Sequence, residues 1–149
     1  MSSLKERLLD DMKMAMKSGE KQRLSVIRMA RAAIKNQEIE KRKDLDDDEI
    51  IEVLSREVKQ RRDAIAEYKK AGKEDIIAGL NKEIEILSEY LPEQLSTEEL
   101  ENLIQELINE TGASSMKDIG RVMEAIMPKV KGRADGRIVN QMVQEKLSQ

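Results

Sequence analysis

Tyr90-Leu91-Pro92-Glu93-Gln94-Leu95-Ser96-Thr97-Glu98-Glu99 is where one helical pattern stops and another begins. Upstream, Ile77, Leu80, Ile84, Leu87 and Leu91 recur every three or four residues, the period of one face of an α-helix. Pro92 disfavours helix at the residue before it, so the pattern ends there. Ser96 and Glu99 have the spacing of a capping box, in which each side chain accepts from the other's backbone N–H. Leu100, Leu103, Ile104 and Leu107 then resume the period. The stretch predicts an all-α chain in two parts, 1–91 and 96–149.

Towards the N-terminus the same period predicts four helices. Ser3 and Glu6 have capping-box spacing ahead of Leu4, Leu8, Met12 and Ala15, and Ser18-Gly19 ends that helix. A second helix runs from about Glu20 to Arg42 on Leu24, Ile27, Ala30 and Ile34. Asp46 caps the third, with Glu49 three residues on and clustered carboxylates at the positive end of the helix dipole. Its seam is Ile51, Leu54, Val58, Ile65 and Tyr68, with Arg61 in one slot, and Gly72 stops it. With the fourth helix it makes a long antiparallel hairpin. Gly79 lies inside that fourth helix, where Gly costs about 1 kcal/mol relative to Ala, and marks a close helix approach or a kink.

Residues 96–149 predict three short helices. The first ends at Gly112, and the second runs from near Ser115 to Pro128 on Met116, Ile119, Val122, Met123 and Ile126. The third is capped by Asp135 and carries Ile138, Val139, Met142, Val143 and Leu147. The expected fold is an N-terminal four-helix domain with a long helical hairpin, plus a small C-terminal three-helix bundle.

Composition narrows the chemistry. Apolar residues make up 39% and charged ones 38%, and Tyr68 and Tyr90 are the sole aromatics, so bases have no stacking platform and RNA would be met through shape and backbone. The chain has no Cys and no His, which removes the usual zinc and haem donors, thiolate nucleophiles and the commonest general base. It carries no phosphate-binding loop, nucleotide fingerprint or nucleophile elbow. Asp44, Asp46 and Asp48 match the first ligands of a calcium loop, but Glu49 stands where glycine is required and Ser55 where the closing glutamate belongs. No catalytic residue, metal ligand or cofactor is assigned. No apolar run approaches a membrane span and Met1–Glu6 lacks a signal-peptide core, so the reading is a soluble cytoplasmic protein without a membrane partner.

The net charge of −3 hides a strong pattern. Residues 1–43 carry 12 Lys and Arg against 6 Asp and Glu, residues 44–90 carry 8 against 14, residues 91–110 none against 6, and residues 111–149 carry 7 against 4. On the second helix Lys21, Arg28, Lys35 and Arg42 repeat at seven-residue steps with Arg31 beside them, which reads first as a solvated face paired with the acidic third helix and second as a stripe for an RNA backbone. The sharper cluster is Lys129, Lys131, Arg133 and Arg137 around Gly132 and Gly136, at the start of the last helix. Helix-start N–H groups with Lys and Arg make a receptor for phosphate or carboxylate, and glycine lets a ligand approach the backbone. Asp135 opposes this by occupying some of those N–H groups itself. Lys117 and Arg121 precede the cluster and extend the candidate RNA-binding set.

Three blocks resemble the YqeY family: Glu57-Val58-Lys59-Gln60-Arg61-Arg62-Asp63, Tyr90-Leu91-Pro92-Glu93-Gln94-Leu95, and the run from Gly112 through Met116-Lys117-Asp118 to Lys131-Gly132-Arg133-Ala134-Asp135-Gly136. The resemblance covers nearly the whole chain. It implies a helical N-terminal domain followed by a bundle similar to the tail domain of the GatB component of the aspartyl/glutamyl-tRNA amidotransferase. That tail helps hold tRNA, while the amide-transfer chemistry sits in domains this chain lacks. By motif the tail's basic surface maps onto Lys131, Gly132, Arg133, Ala134 and Asp135; Lys129 and Arg137 are added on charge alone.

The leading expectation is a non-catalytic module that binds tRNA or another structured RNA. The first alternative is an adaptor that holds an amidotransferase or an aminoacyl-tRNA synthetase. The second is a carbon–nitrogen ligase with glutamine as amido-N-donor, the activity implied by the family label.

Overall fold

The computed structural model describes residues 3–149; Met1 and Ser2, part of the stretch that lacks a signal-peptide core, lie outside the described residues. The described residues form seven α-helices and no strand: α1 (Ser3–Ser18), α2 (Lys21–Lys41), α3 (Asp47–Lys70), α4 (Glu74–Ser88), α5 (Thr97–Thr111), α6 (Ile119–Val130) and α7 (Gly136–Leu147). A 3₁₀ turn, Met116–Asp118, leads into α6. The all-α expectation holds. None of the described helices is long and apolar enough to cross a membrane. The chain divides into one compact unit ending at Leu91 and a second, Pro92–Gln149.

In the first unit α1 packs on α2, α3 packs on α4, and α2 also touches α3 and α4. Asp46 caps α3 as its spacing predicts: its carboxylate accepts from Glu49 N at 2.9 Å, and Glu49 returns the bond to Asp46 N at 3.2 Å. Gly72, with φ +68°, turns the chain from α3 into α4. The buried stripe of α3 is Ile50, Val53, Leu54, Val58, Arg61 and Ile65, so Ile50 takes the place expected for Ile51. The stripe is wider than a hairpin seam because α3 meets α1 and α2 as well as α4. Tyr68, expected in the seam, lies exposed near the hairpin tip. Ile86, outside the expected seam, is buried beside Leu87 and Tyr90. Arg61 is 7% exposed and pairs with Glu83 at 3.2 Å and Glu57 at 3.5 Å.

Two polar knots tie this unit. Tyr90 buries its ring under the Arg7 guanidinium, 4.5 Å from the ring centre, and its hydroxyl donates to Asp11. Burial, then the Asp11 bond, pushes the phenol well above its ordinary range. The second knot is Glu38, only 8% exposed, whose carboxylate accepts from Lys5 Nζ and from Leu45 N at 3.0 Å. At the start of α1 the expected Ser3–Glu6 box gives way to a partner from α3. Ser3 Oγ donates to Asp47 at 2.7 Å, and Leu4 N donates to the same carboxylate at 3.1 Å.

The second unit is a three-helix bundle around Leu100, Ile104, Leu107, Val122, Ile126, Val130, Val139, Val143 and Leu147. Ser96 accepts from Glu99 N at 3.1 Å, and Gly112, φ +70°, closes α5. α6 runs through Pro128 to Val130, two residues past the predicted end. Pro removes one N–H and clashes with the preceding turn, but it stands in the last turn here, and burial of Val130 draws the chain on as helix. Met116 and Ile138, expected inside, are exposed; Val139, Val143 and Leu147, also expected inside, are buried and make the stripe of α7.

A Cβ at Gly79 would meet nothing within 4 Å, so no close approach explains that glycine. Gly79→Ala should therefore raise the unfolding free energy by about 1 kcal/mol, read as a higher midpoint in urea with an unchanged slope. The Glu38 carboxyl is held below its ordinary value of 4.5 by Lys5 first, and by Leu45 N, against the opposing effect of burial. Below 4.5 the unfolded chain binds the proton more readily, so this part of the stability is complete above that pH and is lost as pH falls through the folded value. Glu38→Gln should cost about 1 kcal/mol at pH 7, and its gap from the parent should close as unfolding is measured down through pH 4.

Candidate functional site

The α6–α7 connection is shaped by the backbone before any charge is considered. Val130 O accepts from Arg133 N at 2.8 Å and Ala134 N at 3.1 Å, which folds the chain back at once after α6. Gly132 makes the reversal at φ +74°, a conformation that costs a residue with a Cβ. Asp135 then caps α7, its carboxylate accepting from Arg137 N at 2.9 Å.

The segment before α5 is stitched to this turn three times. Leu95 N donates to Arg133 O at 2.9 Å, Gln94 Nε2 to Gly132 O at 2.7 Å, and Arg133 Nε to Glu93 O at 3.0 Å. Arg133 is half-buried and spends its Nε on the fold. Lys129, Lys131 and Arg137 are exposed around it. The turn therefore uses the Arg133 side chain in its own construction, with the other three predicted cations on its exposed surface. Sequence reasoning missed Gln94, whose neighbour in space is 38 residues away.

Lys117 and Arg121 stand apart from the cluster. Arg121 is eight residues before Lys129 on one helix, about 12 Å along its axis. Its guanidinium meets Asp118 at 2.8 Å. The Asp118 carboxyl is held below its ordinary range by Ser114 N first and also by Arg121, so it stays ionised. Lys117 is exposed on the 3₁₀ turn. As a chemical device the loop offers fixed cations and little else: no group of His, Cys, Asp and Glu that could hold a metal ion occurs among the described residues.

The sequence profile of the family described as "Yqey-like protein" matches residues 5–147. The curated protein named "Altered inheritance of mitochondria protein 41, mitochondrial" from Kluyveromyces lactis is 39% identical over 84 residues, 56% of this chain and 45% of that protein. Its counterpart in Pyrenophora tritici-repentis is 28% identical over 142 residues, 93% of this chain and 78% of that protein. One subunit of the glutamyl-tRNA(Gln) amidotransferase of Saccharolobus solfataricus is 39% identical over 67 residues, 42% of this chain but 10% of that subunit. The chain thus spans less than half the length of the Kluyveromyces relative. Both fungal relatives are named as mitochondrial, and they lend no support to the cytoplasmic location expected from sequence.

Gln94→Ala removes the bond that closes the turn from outside. The loss should be about 0.5–1.5 kcal/mol and local, so exchange of the Leu95 amide should quicken roughly 2- to 10-fold while amides in α2 and α3 keep their rates. Equal quickening in α2 and α3 would mean that the bond supports the whole chain rather than the loop.

Proposed function

The chain belongs to the Yqey-like protein family, and on that premise we propose that its second unit holds tRNA, or another structured RNA, without catalysing a reaction on it. The observation that carries this reading is the fixed turn at Gly132, which presents Lys129, Lys131 and Arg137 from a backbone held by Gln94 and Leu95. Cations on a pre-set loop meet phosphates with little ordering cost, and phosphate contacts position an RNA without reading its bases. The likeness to part of an amidotransferase named for glutamyl-tRNA(Gln) supports tRNA as the RNA.

A second reading keeps one observation of its own. Met127 and Ile138 are exposed beside the same turn, and apolar side chains among cations suit a protein partner, such as an amidotransferase or a synthetase, better than a sugar-phosphate surface.

With three to four phosphates contacted, log K for tRNA should fall against log salt with a slope of roughly −2 to −4. Lys129→Glu, Lys131→Glu and Arg137→Glu together should weaken tRNA binding at least tenfold with helicity unchanged; Arg133 is left in place because it builds the loop. A titration of parent and variant at two salt concentrations, beside an unstructured RNA of equal length, reads both effects. Equal tRNA affinity of parent and variant would sink the loop assignment. No preference for tRNA over the unstructured strand would sink shape recognition and bring the adaptor reading forward.

A further inference from the structure

The α2 stripe behaves differently from the reading its sequence invites. Lys21, Arg28 and Lys35 are exposed, and none of them forms an ion pair with α3 among the described residues. Arg28, Arg31 and Lys35 instead line a groove of about 470 Å³ between α1 and α2, with Lys5 on its other wall. The three α2 cations sit at i, i+3 and i+7, on one face, and cover about 10 Å of helix.

The groove's carboxylates do not cancel this charge. Glu38 is already engaged by Lys5 and Leu45 N. Asp44 is exposed at one end, 3.7 Å from Lys5. A neighbouring hollow shares Lys5, Arg31 and Asp44 with the groove and adds Asp46, Asp47 and Asp48, so carboxylates outnumber cations on that side and disfavour an anion there. In the other direction along α2, beyond the groove lining at Arg28, Lys21 is exposed about 20 Å from Lys35.

We propose that this groove is a second phosphate-binding site, one that takes the backbone of an RNA strand laid along α2 from Lys35 towards Lys21. The inference rests on the RNA reading above but on different residues, in the other unit. A row of cations spaced along a helix fits a ligand with repeating phosphates better than one with a single phosphate. Neither aromatic is available to hold a free nucleotide's base here: Tyr90 is buried under Arg7, and Tyr68 belongs to α3. Arg supplies the paired N–H donors that phosphate oxygens take.

The test uses the full chain with Arg28→Glu, Arg31→Glu and Lys35→Glu, and the same three changed to Gln should the Glu form melt lower than the parent. Labelled tRNA is titrated at two salt concentrations. The groove variant should bind at least fivefold more weakly and with a salt slope shallower by about 2. Asp44→Asn, which removes the repelling charge at the acidic end, should bind about twofold more tightly. In the parent, the side-chain N–H signals of Arg28 and Arg31 should shift with a single-stranded oligonucleotide and stay still with its neutral-backbone methylphosphonate analogue. Unchanged affinity and slope in the groove variant, with loss in the loop variant, overturns this inference and leaves the RNA reading standing. Loss in the groove variant alone overturns the loop assignment and keeps this one. Equal shifts from a polyglutamate peptide or from a mononucleotide overturn the assignment to an RNA backbone.

Discussion

Glu38 is the group on which the first unit turns. Its backbone carbonyl accepts from Arg42 N and, at 3.2 Å, from Lys43 N, while its carboxylate accepts from Leu45 N and from Lys5. One residue therefore closes α2, shapes the turn into α3 and anchors α1. Arg42 sits at φ +56°, which costs an L-residue roughly 1–2 kcal/mol, and the bonds converging on Glu38 hold it there. A carboxylate this buried is tolerable because Leu45 N and the Lys5 ammonium both donate to it. The same Lys5–Glu38 contact lies in the wall of the groove between α1 and α2.

The second unit solves a related problem with backbone rather than charge. Its basic turn has too few residues to make a core of its own, so it borrows rigidity from the segment that precedes α5. Glu93, Gln94 and Leu95 bond the turn through main-chain atoms and one amide side chain. A turn fixed in this way keeps one backbone path, whereas a mobile loop would lose binding energy in ordering itself.

Features that depend on near neighbours are legible in the sequence. The caps at Asp46, Ser96 and Asp135 and the left-handed glycines at 72 and 112 rest on groups within four residues. The all-α class follows from the same short-range rules. Features that depend on contacts far along the chain are not legible. The spacing of Ser3 points to Glu6, but its partner is Asp47, 44 residues on. Arg133 has the type of a ligand contact, yet it bonds Glu93, 40 residues back. The charges of Lys21, Arg28 and Lys35 suit the acidic α3, but α3 does not pair with them among the described residues. Propensity makes Pro128 a stop, and burial of Val130 overrides it. In each case the residue type is suggestive, and the outcome is set by packing or by a partner that local spacing cannot name.

An acidic chain with two basic surfaces is a consistent design rather than a contradiction. At physiological ionic strength fields decay over about 8 Å, so a phosphate senses the nearest cations and little of the net charge. Residues 91–110, with six carboxylates and no cation, then act as a penalty on any polyanion that wraps the protein at random. On the RNA reading proposed above, attraction at the turn and at the groove, each within its own unit, favours an RNA whose phosphates are already ordered. A flexible strand gains less, because it must be ordered and also kept off the acidic helix. A chain with two tyrosines as its sole aromatics pushes the same way, since stacking is the usual means by which a protein holds an unpaired strand. On the proposed reading, selectivity for a folded RNA depends on where charge is withheld as much as on where it is presented.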